Sequence, residues 1–154
     1  MIRENPMTTM MSVCGVLCSD CPAFHAKDRG RAHQRCTAEA WGEIYELHEK
    51  PKNITCSGCL GADAELFRIS LRCKARRCCL AKGFKSCAEC GVKQCPLLEK
   101  AQSTWDQVPE LAEHLSPEDF AAYAQPYCGH RERLARARAI IDFQDTNAPV
   151  RSKN

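Results

Sequence analysis

The spacing of its cysteines constrains this chain more than any other feature of its sequence. Of thirteen cysteines, all but Cys36 and Cys128 fall in four short groups. Cys14, Cys18 and Cys21 lie in CGVLCSDCPAF and Cys56 and Cys59 in TCSGCLG; Cys73, Cys78 and Cys79 follow, and Cys87, Cys90 and Cys95 close the set in CAECGVKQCP. Cys18/Cys21, Cys56/Cys59 and Cys87/Cys90 share the C-x2-C spacing. In such a knuckle a tight turn aims two sulfurs at one point and brings backbone N–H groups toward them, with Gly easing the turn. The bland alternative is a set of free thiols buried as small hydrophobes. Core cysteines, however, have no reason to recur at this spacing beside Gly and Pro. An odd number excludes complete internal pairing, and clustered cysteines in a reducing compartment are read as metal-binding or catalytic rather than as disulfides.

The rest of the composition supports a metal. Ala supplies 19 and Cys 13 of the apolar residues, which leaves 36 larger apolar or aromatic side chains in 154 residues. Burying a Leu or Phe contributes about 1.5–3 kcal/mol, and ordering one residue's backbone costs about 1–2 kcal/mol, so such a core leaves little surplus. Coordination would supply what it lacks. The net charge of +3 counts every thiol as neutral. A divalent ion held by four thiolates carries −2, so two such sites bring the chain to −1 and remove its basic bias. The opening MIRENPMTTMMSV has no continuous apolar run of an export signal, and no window approaches the roughly 20 apolar residues of a membrane span. A cytoplasmic protein with no membrane partner is expected.

A helix is expected over about 34–50, with Trp41, Ile44, Tyr45 and His48 on one face and its end at Pro51. Between Cys56 and Pro96 the spacing of Gly58, Gly61, Gly83 and Gly91 predicts turns and short irregular segments. Three short helices are expected after Pro96: one from LLEKAQ to Trp105, one opening at Ser116-Pro117-Glu118-Asp119 with Ser116 as its cap, and one over 131–143. The predicted organisation is a flexible 1–11, a cysteine-rich metal-binding domain over 12–100, a helical extension over 101–144 packed on it, and a disordered tail over 145–154.

Two other motifs compete with the knuckles. C-x3-C-x2-C at Cys14–Cys21 is also the spacing by which radical S-adenosylmethionine enzymes hold a [4Fe–4S] cluster, but this chain lacks the alternating strands and helices of their partial barrel. Arg68, Arg72, Lys74, Arg76, Arg77, Lys82 and Lys85 form a basic stretch without an acidic residue. It is either a nucleic-acid footprint or, the preferred reading, positive charge that offsets nearby thiolates. The five histidines share no repeated spacing, and no Ser/His/Asp set or phosphate loop is present.

With CGVLCSDCPAF, the Trp41 helix, CSGC, single Cys73 and Cys78, KGF at Lys82–Phe84, CAEC and the CP at Cys95 laid out, the chain resembles an uncharacterised bacterial and archaeal family of small cysteine-rich proteins, often labelled zinc-binding. The resemblance runs from about Cys14 to Leu98. It carries ligand status onto Cys14, Cys18, Cys21, Cys56, Cys59, Cys73, Cys78, Cys87, Cys90 and Cys95, leaving Cys36, Cys79 and Cys128 outside the pattern. It implies no reaction.

The expected fold is therefore small, irregular and α-rich, with zinc-knuckle-like loops packed among several helices and little or no β-sheet. Two Zn2+ ions are expected, one on Cys78, Cys87, Cys90 and Cys95, the other on Cys56, Cys59, Cys73 and a sulfur from the first group. The expected function is a non-enzymatic binding module for a protein partner. The alternatives are a redox protein holding a [4Fe–4S] cluster on Cys14, Cys18 and Cys21, and a nucleic-acid binder using the basic stretch.

Overall fold

The computed structural model describes residues 10–147 of the chain. Helix is the dominant element because alanine, leucine and long charged side chains lose little freedom in it, and the described residues contain no β-strand. The helices are α1 (Ala26–Arg29), α2 (Arg31–Tyr45), α3 (Arg68–Leu71), α4 (Lys74–Ala81), α5 (Pro96–Asp106), α6 (Val108–Leu111), α7 (Pro117–Tyr123) and α8 (His130–Thr146). Short 3-10 turns at Cys18–Asp20 and Cys87–Glu89 carry two of the cysteine motifs. The architecture is helix-rich, small and irregular, as expected.

Helix α2 differs from the expectation at both ends. It starts at Arg31 and stops at Tyr45, six residues before the Pro51 expected to terminate it. Glu46 adopts a left-handed conformation at φ 53°, and the Leu47 N–H closes onto the Trp41 carbonyl at 3.2 Å. Such a cap satisfies carbonyls left over at a helix end. It also turns Leu47 onto the core and puts His48 outside the helix, exposed. After Pro96 there are four helices rather than three, and the last runs over 130–146, longer than expected. Asp145 and Thr146, assigned to a disordered tail, belong to α8; 148–154 and 1–9 lie outside the described residues. Ser116 caps α7 as expected, its Oγ accepting from the Asp119 N–H at 3.2 Å.

Two cores form. The first gathers Trp41, Ile44, Ile54, Phe67, Val108 and Tyr127 from α2, the central loops and the C-terminal helices. The second is smaller and rich in sulfur: Cys59, Cys79 and Cys87 pack with Val13, Ala75, Ala88 and Leu134. The C-terminal helices reach both. Gln102 donates to the Cys14 carbonyl at 3.1 Å, and Arg138 to the Cys87 carbonyl at 2.9 Å. Arg133 donates to the carbonyls of Gly15 and Cys128.

Gly15 marks the tightest approach between the first cysteine loop and α8. Its φ is +108°, and a Cβ there would stand 2.0 Å from the His130 carbonyl oxygen, a backbone atom that no rotamer change can move. Gly15→Ala is expected to destabilise the protein by at least about 1–3 kcal/mol, the cost of forcing a side chain into such backbone, before the clash is added; urea unfolding checks this.

Arg131 clamps α5 to α8 by bonding Glu99 at 2.8 Å and Asp106 at 2.7 Å. Its guanidinium hydrogen bonds hold both carboxyls below their ordinary range. A carboxyl lowered in the folded state contributes stability that is complete above its unfolded pKa, about 4, and is lost as pH falls through the lowered value. Thermal melts of the native chain and Arg131→Gln should therefore differ most near pH 6 and converge as pH falls below about 3.

Candidate metal centre

The backbone, not the sulfurs, assembles the cysteine motifs. The chain at Phe24 pairs in parallel with Cys56, through bonds from the Cys56 N–H to the Ala23 carbonyl at 2.8 Å and from the His25 N–H to the Cys56 carbonyl at 3.0 Å. This sets the first knuckle against the second. The Cys87 N–H donates to the Val13 carbonyl at 3.0 Å, which docks the fourth group on the first. Locally, Gly58 takes φ +86° inside the Cys56–Cys59 knuckle. Ser86 and Glu89 form a capping box over the turn that carries Cys87, satisfying donors that a short turn leaves free.

The result is two sulfur-lined cavities. The smaller, of about 40 Å³, is lined by Cys78, Cys79, Cys87, Cys90 and Cys95. The larger, of about 440 Å³, has Cys14, Cys18, Cys21, Cys56 and Cys73 in its wall. Nine of the ten cysteines singled out in the sequence therefore line a cavity. The tenth, Cys59, is buried in the sulfur-rich core. Cys79, set aside by the sequence reading, joins the smaller cavity, its Sγ 3.4 Å from that of Cys87. Its place at the sixth residue of α4, one turn before the helix end, puts it on the face that Ala75 also buries. That i, i+4 relation to Ala75 was the one sequence signal that could have included it. Cys36 is exposed on α2 and Cys128 bonds the Ala124 carbonyl at 3.4 Å, away from both groups.

The neighbouring Cys59 pushes the Cys18 thiol up, while Cys18, the Val13 backbone and the Arg76 charge lower that of Cys59. The Tyr127 hydroxyl lies 3.1 Å from the Cys21 sulfur. Burial pushes the thiols of Cys14, Cys21 and Cys87 up. Among the described residues no group of three or more His, Cys, Asp or Glu side chains is arranged to hold a metal ion. Sulfurs on one tetrahedral zinc sit about 3.8 Å apart, given Zn–S bonds of about 2.3 Å. Cys79 and Cys87 already approach that spacing; the others in their cavity do not complete it.

The basic stretch is dispersed by the fold. Arg68 pairs with Glu49 at 2.6 Å. Arg76 is 2% exposed and points inward, donating to the carbonyls of Cys59 at 2.7 Å and Gly61 at 2.9 Å while pairing with Asp63. Arg77 reaches the Leu71 carbonyl, and Lys82 Nζ lies 3.8 Å from Cys90 Sγ. Arg72 and Lys74 line the larger cavity, and Lys85 is exposed. Of the histidines, His25 and His48 are exposed, as is His114, while His33 and His130 bond backbone carbonyls.

Residues 10–100 match the model of a family described as a protein of unknown function, DUF3795, and the chain belongs to that family. No curated protein and no solved structure matches it. The matched span ends within α5, so the remaining C-terminal helices lie beyond it.

Arg76 holds the Cys59 knuckle from beneath. Arg76→Ala leaves two carbonyls without their donor, and each buried polar group so orphaned costs about 1–3 kcal/mol. Because Asp63 is mostly exposed, it adds no buried charge. Chemical denaturation should show a loss in that range or above, and labelling of Cys59 by a thiol reagent should accelerate.

Proposed function

We propose that this protein is a metal-stabilised binding module whose smaller sulfur-lined cavity holds a structural zinc ion. The observation that carries the reading is the size and lining of that cavity: about 40 Å³, enough for an ion and little else, walled by five cysteines from α4, the Cys87 turn and the start of α5. Thiolates are strong zinc ligands, and four of them close a tetrahedral site with no position left for a substrate. Cys78, Cys87, Cys90 and Cys95 would supply the four, with Cys79 close behind Cys87. Lys82 beside Cys90 and the cations along α4 offset the surplus negative charge of such a centre. The paired sulfurs draw together only when the ion displaces their protons, so coordination and packing of the second core are one event. A second ion would take Cys56, Cys59 and Cys73 with a sulfur from the Cys14–Cys21 loop, where Cys18 neighbours Cys59 closely enough to lower its thiol. A closed centre stabilises rather than reacts, and the exposed helical surface is then what meets a protein partner.

Elemental analysis of protein purified without air tests this. Two zinc ions per chain are expected. Cys87→Ser or Cys90→Ser should remove one ion and lower the melting temperature steeply; Cys56→Ser or Cys59→Ser should remove the other; Cys36→Ser and Cys128→Ser should remove none. Iron with acid-labile sulfide, lost on changing Cys14, Cys18 or Cys21, would replace this reading with the iron–sulfur one.

A further inference from the structure

The larger cavity has room for far more than the one ion its sulfurs would hold. At about 440 Å³ it falls in the range of pockets that take small organic ligands, about 300–1,000 Å³. Its apolar wall is aromatic and held in place by its own contacts. Trp105 and Tyr127 stack with ring centres 4.9 Å apart and planes 15° from parallel, and Trp41 meets Phe67 edge to face at 5.3 Å. Tyr45, whose hydroxyl donates to the Tyr123 carbonyl at 2.7 Å, completes that side. Rings locked against one another keep such a space open and offer faces for another flat group to stack on.

The charge of the lining is one-sided. Arg72, Lys74 and Lys100 contribute to it, and no aspartate, glutamate or histidine does. All three cations are exposed residues, which places them toward the mouth rather than the floor. None has an ion-pair partner among the described residues, unlike Arg68, Arg76 and Arg131. They come from different parts of the chain, Arg72 from the end of α3, Lys74 from the start of α4 and Lys100 from the middle of α5. An apolar slot with an uncompensated cationic rim is complementary to one chemistry.

We propose that this cavity binds a small organic anion with a ring-sized apolar body, an aromatic carboxylate being the simplest example. The ring lies between Trp41, Trp105 and Tyr127, and the carboxylate is met by Arg72 and Lys100, a guanidinium and an ammonium that recognise it by charge-assisted hydrogen bonds. The inference rests on the aromatic wall and the cations, not on the sulfurs that the second ion of the proposed function would take from the same cavity's wall.

The full-length protein, as purified, is titrated with 2-naphthoate and with the neutral 2-naphthamide, which has the same ring system. Binding is followed by calorimetry and by the indole N–H signals of Trp41 and Trp105, the two tryptophans of the chain, both in the cavity wall. Saturable one-to-one binding of naphthoate that shifts both indole signals is expected, with naphthamide at least tenfold weaker. The variant Arg72→Gln/Lys100→Gln changes exposed side chains and should stay folded by near-ultraviolet circular dichroism. It should lose at least tenfold in affinity for naphthoate and little for naphthamide. Equal affinities for the two compounds, undiminished naphthoate binding in the charge variant, binding without indole shifts, or no binding at millimolar ligand would each overturn the proposal. None of these results alters the zinc stoichiometry, so the two readings fail separately.

Discussion

The structure depends on a few backbone hydrogen bonds that cross long stretches of sequence to bring loops together. The pairing of Cys56 with Ala23 and His25, and of Cys87 with Val13, joins segments that are about thirty and seventy residues apart. Loop closure over such distances costs entropy that grows slowly with length, but it must be met by something. Here a few main-chain bonds do it with help from Gly15, which takes a positive φ against the His130 backbone, and Gly58, which takes one beside the Met10 side chain. Remove the close approach at Gly15 and the first cysteine loop no longer seats on α8. These bonds set the cysteine loops beside one another.

Sulfur serves this fold in two capacities. In the second core Cys59, Cys79 and Cys87 are buried as ordinary small hydrophobes would be, and they account for much of what packs against Leu134. In the cavity walls their neighbours Cys18, Cys21, Cys56, Cys73, Cys78, Cys90 and Cys95 are half-buried, with their sulfurs open to the space they line. The two roles meet at Cys87, buried, hydrogen-bonded to Cys79 and lining the smaller cavity. A protein short of large apolar side chains gains from letting the same residue type do both. The two cavities the cysteines line differ about tenfold in size, about 40 Å³ against about 440 Å³.

Charge is distributed by the same logic. Along the sequence, the cations between Arg68 and Lys85 look like one patch, since no acid interrupts them. In three dimensions Glu49 and Asp63, both upstream of the run, neutralise two of them, and Arg76 turns inward to hold carbonyls of the second knuckle. What remains faces sulfur at Lys82 and the aromatic cavity at Arg72 and Lys74. Helices present successive residues to different surroundings every 100° or so, and a run of like charge rarely survives that as a single surface.

The sequence by itself grouped most of the cysteines that come to line the two cavities, and it determined that the fold would be irregular and helical. The C-x2-C knuckle acts over a single turn, and Ser116 with its proline and acids acts over another, so both are legible without the rest of the chain. It also placed α2 correctly around Trp41 and Ile44. Tertiary structure decided everything set by contacts between distant residues. The Glu46 cap ended α2 early because Leu47 had a core to turn into. Cys79 joined the sulfur group because α4 lies with its buried face toward Cys87, and Cys59 was buried with its carbonyl held by Arg76 instead of lining a cavity. The aromatic pocket came from rings on α2, α5 and two loops whose nearness no local pattern encodes. A thiol reaches only a few ångströms from its backbone, so which of them share a site is a property of how the helices pack, not of their order along the chain.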